Sequence, residues 1–458
     1  MKKVIIIGGG AAGPKAAAKL SRLNKDIDIH LYTDLDVVSY SACGLPFYIE
    51  GLISDIKSLI IRTPEEFEKQ GVKIHLNAKC TKINPNDKTV EIFNILTNEH
   101  ILVSYDVLVI ATGARPFIPP INNVDLNNIF TLKTLNDGIK IREKMQKSKK
   151  AVIIGGGNIS IELLWAFAKN NIEVNVIEKS PHMLNMLDPE MGELVENYIL
   201  GNFGNIIKIH TNKEASEFIG DNNKNVIAVK LKEGEVIDTD FVVIASGIVP
   251  NSEIFKEAGG ILSVRDTIKV DTYMQTNLKD VYACGDVVAN YNIVSHKPGW
   301  IPLASTANKE GRIVALNING MKESFHGVLS SVVTKFHNLT IASCGLSETY
   351  AAQNGFTPIS AMVTKKDKAG YMPDAQEITL KLVVDYYSQK LLGAQAIGSG
   401  DVHKRIGTVV ACIMSDFRVN DLLHLDLPYA PPYSPTIDPL LTVAQIISQK
   451  IYNAFKQN

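Results

Sequence analysis

The 458-residue chain has no CxxC pair, no HExxH and no cysteines or histidines at zinc-ligand spacing. The first absence excludes a dithiol built from neighbouring cysteines, and the others leave no metal to expect. The five cysteines, Cys43, Cys80, Cys284, Cys344 and Cys412, are odd in number and scattered. That argues against a disulfide framework and for a reducing compartment, with the cytoplasm as the expected location. No apolar run approaches the roughly 18 residues of a membrane span. The opening resembles a signal peptide, but its apolar stretch stops at Gly8, and Lys15 and Lys19 interrupt the residues beyond it, so it reads as a strand. A strong net charge is missing too. With 47 basic and 48 acidic residues the balance is −1, which gives no global attraction to nucleic acid or to an anionic membrane.

What the chain does contain is an internal echo. Lys3-Val-Ile-Ile-Ile-Gly-Gly-Gly10 near the start returns as Ala151-Val-Ile-Ile-Gly-Gly-Gly157. In each copy a continuous apolar run reads as a strand buried on both faces, followed by a glycine turn and residues of helical composition, the start of a βαβ unit. In the first, Gly8-x-Gly10-x-x-Gly13 has the glycines needed for a tight turn, for close approach to a pyrophosphate and for helix-strand packing, with phosphate drawn to the helix N-terminus. Thr33 or Asp34, at the end of the next strand, serves the ribose. The second copy reads Gly155-x-Gly157-x-x-Ser160, and Glu178 stands where a carboxylate binds the two ribose hydroxyls of NADH and repels the extra phosphate of NADPH. Lys179 beside it weakens that exclusion, so NADH is favoured and NADPH stays possible. Tyr105–Ala111 and Asp240–Ala245 read as further strands, closing on Thr112-Gly113 and Ser246-Gly247.

From about Phe325 the pattern changes. Stretches 328–336, 339–344, 378–385 and 391–397 read as sheet strands, and 402–414 and 441–455 as helices, so a third, α+β domain is expected. Segment 428–435, with four prolines, cannot be regular structure and reads as an arm or linker. The length alone suggests about three domains.

The two glycine motifs, Ala111-Thr-Gly-Ala-Arg115-Pro and Thr276-x4-Asp-Val-Tyr-Ala-Cys-Gly285-Asp286 together resemble the FAD- and NAD-dependent pyridine nucleotide-disulfide oxidoreductases over most of the chain. The resemblance implies an α/β fold with two Rossmann-like dinucleotide-binding domains and a C-terminal α+β dimerisation domain. The expected boundaries are 1–112 with 246–324 for FAD, 113–245 for NAD(P)H, and 325–458. It assigns Gly8, Gly10, Gly13, Thr33, Asp34, Thr112, Gly113, Arg115, Gly285 and Asp286 to FAD, the last reaching the ribityl chain. Gly155, Gly157, Asn158, Ser160, Glu162, Glu178 and Gly247 go to NAD(P)H.

Ser39-Tyr-Ser-Ala-Cys43-Gly-Leu-Pro46 is similar to the single-cysteine branch of that family, which holds coenzyme A-disulfide reductases, NADH oxidases and NADH peroxidases. A lone cysteine beside a flavin must cycle through a mixed disulfide or an oxidised sulfur. Ser41 as a cap and Pro46 in the first turn would put Cys43 near a helix N-terminus, which favours thiolate; the alternative is a small buried hydrophobe. Peroxidases and many oxidases of the branch carry a histidine where this chain has Ala11, so the coenzyme A-disulfide branch is favoured. Tyr371 and Tyr429, with Tyr433 as a neighbour to Tyr429, match tyrosines that reach the active site from the partner subunit of a homodimer. Lys15, Lys19, Arg22 and Arg62 flank the substrate channel, and Arg22 and Arg62 are the candidates for the phosphates of coenzyme A. Asn158 stands where the family has an aromatic residue, Val249 where it has arginine, and Ala42 where it often has asparagine. Three other readings stay open: an NADH oxidase with a Cys43 sulfenate, a coenzyme A-persulfide or polysulfide reductase, and an idle NADH-binding redox sensor.

Overall fold

Strands Lys2–Ile7 and Lys150–Ile154 carry apolar side chains towards both faces, which only a central strand can bury. Each is the middle strand of a parallel five-stranded sheet in the computed structural model, which describes residues 1–457. The first sheet runs Val281–Ala283, Val107–Ile110, Lys2–Ile7, Ile27–Tyr32, Val72–His75. Its outermost strand thus arrives only after the second sheet is complete. The second runs Ile207–His210, Glu173–Ile177, Lys150–Ile154, Phe241–Ile244, Ile129–Thr131. In both, the chain steps to opposite sides of the central strand, and the crevice at such a switch point is where α/β sheets bind ligands. A three-stranded antiparallel meander accompanies each sheet, Ala78–Ser104 and Ala215–Asp238.

The C-terminal sheet is antiparallel, in the order Val332–Phe336, Leu339–Gly345, Leu391–Gly398, Glu377–Asp385, Pro358–Lys366. Helices Val402–Met414 and Pro439–Gln457 cover one face. Phe336, Leu339, Ile341 and Ile397 join the core of the second sheet. Strand Pro358–Lys366 is absent from the reading of the sequence: it is an edge strand, half exposed and ending in lysines, so it lacks the continuous apolar signal of its neighbours. The first strand begins at Val332 rather than 328, because Gly327 and Ser330 adopt positive φ and break the extension. No helix or strand forms over 428–435, as the prolines require.

One polar cluster joins the second sheet's domain to the C-terminal domain. The Lys381 ammonium, 3 % exposed, bonds Asp188 at 2.8 Å, Glu348 at 2.7 Å and Glu190, while Gln395 donates to Asp188 at 2.6 Å. Burial works against the charge on Lys381, but the three carboxylates outweigh it and raise its pKa. Asp188, Glu190 and Glu348 are the one group of three close acidic ligands among the described residues, and Lys381 supplies their cation. Lys381→Met should therefore strand buried negative charge and lower stability by on the order of 3 kcal/mol, read as a fall in Tm. An unchanged Tm would mean that the two domains do not depend on this contact.

Candidate active site

Both dinucleotide helices begin without the usual side-chain cap. Ala12–Leu23 has Ala11 and Asn158–Lys169 has Gly157 at the N-cap, and neither has an acidic residue in its first turn. Helices Pro64–Glu68 and Leu135–Met145 have full capping boxes by contrast. The free N–H groups of an uncapped terminus attract a phosphate. A Cβ on Gly8 would lie 2.0 Å from the Ala111 carbonyl oxygen, and one on Gly13 2.1 Å from that of Gly8, so strand, turn and helix close on each other only through glycine. Above Gly10, Gly113, Gly157 and Gly247 there is nothing within 4 Å, leaving bare backbone open to a ligand. Ser160 departs from the glycine pattern without disrupting it, because its buried hydroxyl donates to the Gly155 carbonyl at 2.6 Å.

Thr33 is buried against Gly9, and Asp34 beside it is exposed. Glu178 accepts from the Gly156 N–H at 2.5 Å and the Ser180 N–H at 2.6 Å, which holds its carboxylate over the second glycine turn. Thr112 donates to the Asn251 carbonyl at 2.7 Å. Arg115 bonds Asn251 at 2.9 Å and Glu253 at 2.7 Å, so its guanidinium ties together the two crossings between domains. Val249 pairs with Arg115 across that short ribbon.

Cys43 lies in the 3-10 turn Ala42–Gly44, directly before helix Leu45–Glu50, with Pro46 in the helix's first turn as expected. The Ser41 side chain makes no cap. Glu50 accepts from Trp165 Nε1 at 3.1 Å and Lys169 Nζ at 2.8 Å, pinning this helix to the helix of the second glycine motif. Cys43 is exposed, while Cys80, Cys284, Cys344 and Cys412 are all buried, so it is not a packed core thiol.

The thiolate expectation needs correction. Water reaches Cys43, yet enough protein surrounds the sulfur that desolvation pushes its pKa up, with the Glu162 and Asp286 carboxylates adding to the rise and Lys133 opposing it. The same balance places Cys43, Glu162, Asp286 and Lys133 in one electrostatic neighbourhood. Burial raises the pKa of Asp286, which Lys133 lowers. Glu162 is pushed up to about 7 by burial, against the hydrogen bond it accepts from Thr334 Oγ1 at 3.1 Å.

Since ionised Glu162 disfavours the thiolate, Glu162→Gln should move the alkylation midpoint of Cys43 to lower pH. Iodoacetamide reactivity of the reduced enzyme across pH is the measurement, and an unchanged or higher midpoint would contradict the arrangement.

Two residues of this neighbourhood escape the sequence reading. Lys133 stands just before the capping box of helix Leu135–Met145, a signal of a helix start and not of cofactor chemistry, and its carbonyl accepts from Tyr40 Oη at 3.0 Å. Glu310 is fully buried, accepting from the Gly285 N–H and from Asn290 Nδ2, both at 2.7 Å, and burial lifts its pKa to about 8. Its signal was present: a charged residue on the stripe Ala307, Gly311, Val314 that faces the core. Tyr371, Tyr429 and Tyr433 are 76 %, 50 % and 70 % exposed on the C-terminal domain. Arg22 is exposed at the end of its helix, Lys15 and Lys19 are half-buried on it, and Arg62 stacks 5.0 Å over Phe67.

Two phosphate-ready helix ends, each at the switch point of its own parallel sheet, with one accessible thiol near the first, define a two-dinucleotide thiol oxidoreductase. Residues 2–311 match the sequence profile of the pyridine nucleotide-disulphide oxidoreductases, and 331–440 that of their dimerisation domain. The chain belongs to this family and is an NAD(P)H-dependent flavoprotein oxidoreductase. It is 35 % identical to the NAD(P)H coenzyme A polysulfide/persulfide reductase of Pyrococcus horikoshii, over 97 % of this chain and 98 % of the other. It is 28 % identical to the coenzyme A disulfide reductase of Staphylococcus haemolyticus, over 95 % and 96 %. The NAD-dependent persulfide reductase from A. fulgidus superposes with a TM-score of 0.95 at 34 % identity, over 98 % of this chain and 84 % of that one. Among the described residues no helix is long and apolar enough to cross a membrane.

The residues present fit the family's cofactors. The bare cradle at Gly8–Gly13 and Asp286 suit FAD, and Gly155–Gly157 with Glu178 suits NADH. Asn158 Oδ1 is buried without a hydrogen-bond partner, an acceptor that a carboxamide N–H would satisfy.

Proposed function

We propose that the protein reduces coenzyme A disulfide with NADH through FAD and the single redox cysteine Cys43. The observation that carries this reading is that Cys43 is the one exposed thiol among five and has no neighbouring cysteine. Electrons leaving the flavin through sulfur must then go to a thiol or disulfide brought from outside. The division into 1–112 with 246–324, 113–245 and 325–458 belongs to the same proposal, as does a homodimer through the last domain. The scattered free cysteines fit the reducing cytoplasm.

FAD, when bound, would supply a two-electron carrier between NADH and sulfur. The Cys43 thiolate attacks one sulfur of the disulfide, forming the Cys43–S–S–coenzyme A bond and breaking the substrate S–S bond, so that the first coenzyme A leaves as a thiolate and takes a proton from water. Two electrons then cleave that mixed disulfide, returning the Cys43 thiolate and a second coenzyme A thiolate. Tyr371 or Tyr429 of the partner subunit donates the proton to the departing sulfur and recovers it from water. NADH, one proton and one disulfide give NAD+ and two thiols. Gly8, Gly10, Gly13, Thr33, Asp34, Gly285 and Asp286 would hold FAD; Gly155, Gly157, Asn158, Ser160, Glu162 and Glu178 would hold the nicotinamide nucleotide. Arg22 and Arg62 meet the phosphates of coenzyme A.

A persulfide or polysulfide acceptor is the second reading, favoured by the higher identity to the Pyrococcus horikoshii reductase. Turnover with coenzyme A disulfide, coenzyme A persulfide, polysulfide and oxygen, each with NADH and NADPH, separates the readings. The oxidised resting enzyme should also gain the mass of one coenzyme A per subunit and lose it on thiol reduction. Oxygen as the one productive acceptor, with no adduct, would replace this proposal by a sulfenate oxidase.

A further inference from the structure

Arg405 is the largest side chain sealed from solvent, 1 % exposed, on helix Val402–Met414. Its guanidinium grips Asp438 through Nε at 3.2 Å and a terminal nitrogen at 2.9 Å. It also donates to the Asp367 carbonyl and to the Asp401 carbonyl, both at 2.7 Å. Asp367 opens the loop that carries Tyr371; Asp438 ends the proline arm that carries Tyr429 and Tyr433. One planar fork therefore holds the bases of both tyrosine-bearing segments.

Smaller contacts point the same way. The Asp367 carboxylate accepts from the Gln376 N–H at 2.9 Å, closing the loop, and from the Asp401 N–H at 3.1 Å. The Ala369 N–H meets the Pro431 carbonyl at 3.3 Å, so loop and arm touch directly. Lys404 Nζ donates to the Tyr433 carbonyl at 3.0 Å. The tyrosine rings, by contrast, are exposed. A buried ion pair is a poor stabiliser compared with apolar residues of the same volume, but an arginine fork fixes direction as well as distance.

We propose that Arg405 is a positioning residue, which sets Tyr371 and Tyr429 as one rigid unit that reaches the partner subunit's sulfur. The inference rests on the proposed role of the tyrosines across the dimer. Arg405→Lys keeps the charge without the fork. Arg405→Met with Asp438→Asn removes both charges and keeps an acceptor for the Leu440 N–H that Asp438 now caps at 2.9 Å.

Both variants should stay dimeric, keep FAD and reduce it with NADH within about twofold of the wild-type rate, while coenzyme A disulfide turnover falls about tenfold or more from misplacement. A pair that merely stabilises the fold would be rescued by the neutral double variant, so wild-type turnover in that variant overturns the proposal. Heterodimers extend the test. A Cys43→Ser subunit paired with an Arg405→Lys subunit should recover one site of wild-type rate, because the surviving Cys43 faces the intact Arg405 of the other chain. Recovery of the slow rate alone would place Arg405's effect within its own subunit and overturn the proposal. The control replaces Arg405→Lys by Tyr371→Phe with Tyr429→Phe. If that double tyrosine homodimer turns over at the wild-type rate, or its heterodimer recovers no fast site, the tyrosine reading itself fails, which is a different result from failure at Arg405 alone.

Discussion

Replacing Cys43 by serine should stop sulfur reduction while leaving flavin reduction by NADH intact. The turnover loss expected on removing a nucleophile is about a thousandfold or more. Every other cysteine is buried, so no second thiol can form the mixed disulfide in its place. Serine is close in volume, and Cys43 is exposed, so the turn Ala42–Gly44 and the helix after it should keep their contacts to Trp165 and Lys169. Stopped-flow bleaching of the flavin reads the first half of the cycle, and coenzyme A release reads the second. A variant that still reduces coenzyme A disulfide at the wild-type rate would remove Cys43 from the mechanism. One that neither bleaches nor turns over would show damage to the dinucleotide sites instead.

Gly13→Ser should cost the protein its flavin. The change installs in the first glycine motif the residue that Ser160 supplies in the second, so chemistry alone does not condemn it. Geometry does. In the first motif the new Cβ would lie 2.1 Å from the Gly8 carbonyl oxygen and 3.2 Å from Ile6 Cγ2, which forces the turn off the helix. In the second, the Ser160 hydroxyl donates to Gly155 and its side chain is accommodated. FAD per subunit in Gly13→Ser should drop about tenfold or more, the equivalent of about 1.4 kcal/mol for each factor of ten, seen as loss of visible absorbance. Ser160→Ala, losing one hydrogen bond worth about 1 kcal/mol, should keep FAD and weaken NADH binding only modestly. A fully yellow Gly13→Ser protein would refute the close-packing account of the first motif.

Much of the site was legible because its physics is local. A glycine turn between an apolar strand and a helix needs only adjacent residues to be recognised, and Gly8–Gly13 and Gly155–Ser160 read that way, while Cys43 stood out as a lone thiol in a run similar to a family motif. Of the polar support only Glu310 left a signal, as a charge on a core-facing helix stripe. Lys133 reaches the neighbourhood of Cys43 from a segment 90 residues away, the difference of their positions. The bond of Glu310 to the Gly285 N–H, 25 residues away, and that of Thr334 to Glu162 from another domain came only with folding. The thiolate expected at Cys43 failed for the same reason. It rested on a nearby helix end, without the carboxylates that folding brings from residues 162 and 286.

The order of apolar runs and glycine turns determined the two parallel sheets and their helix ends, because backbone sterics and two-sided burial act within one βαβ unit. The isolation of Cys43 from other cysteines was likewise written in the sequence. Only the tertiary structure decided which way the Cys43 thiol titrates, why a serine can replace the third glycine in one motif, and how a buried arginine joins two loops more than 50 residues apart, from Tyr371 to Tyr429. These depend on charges and close contacts between segments distant in sequence, where Coulomb energy and steric overlap depend on separation in space alone.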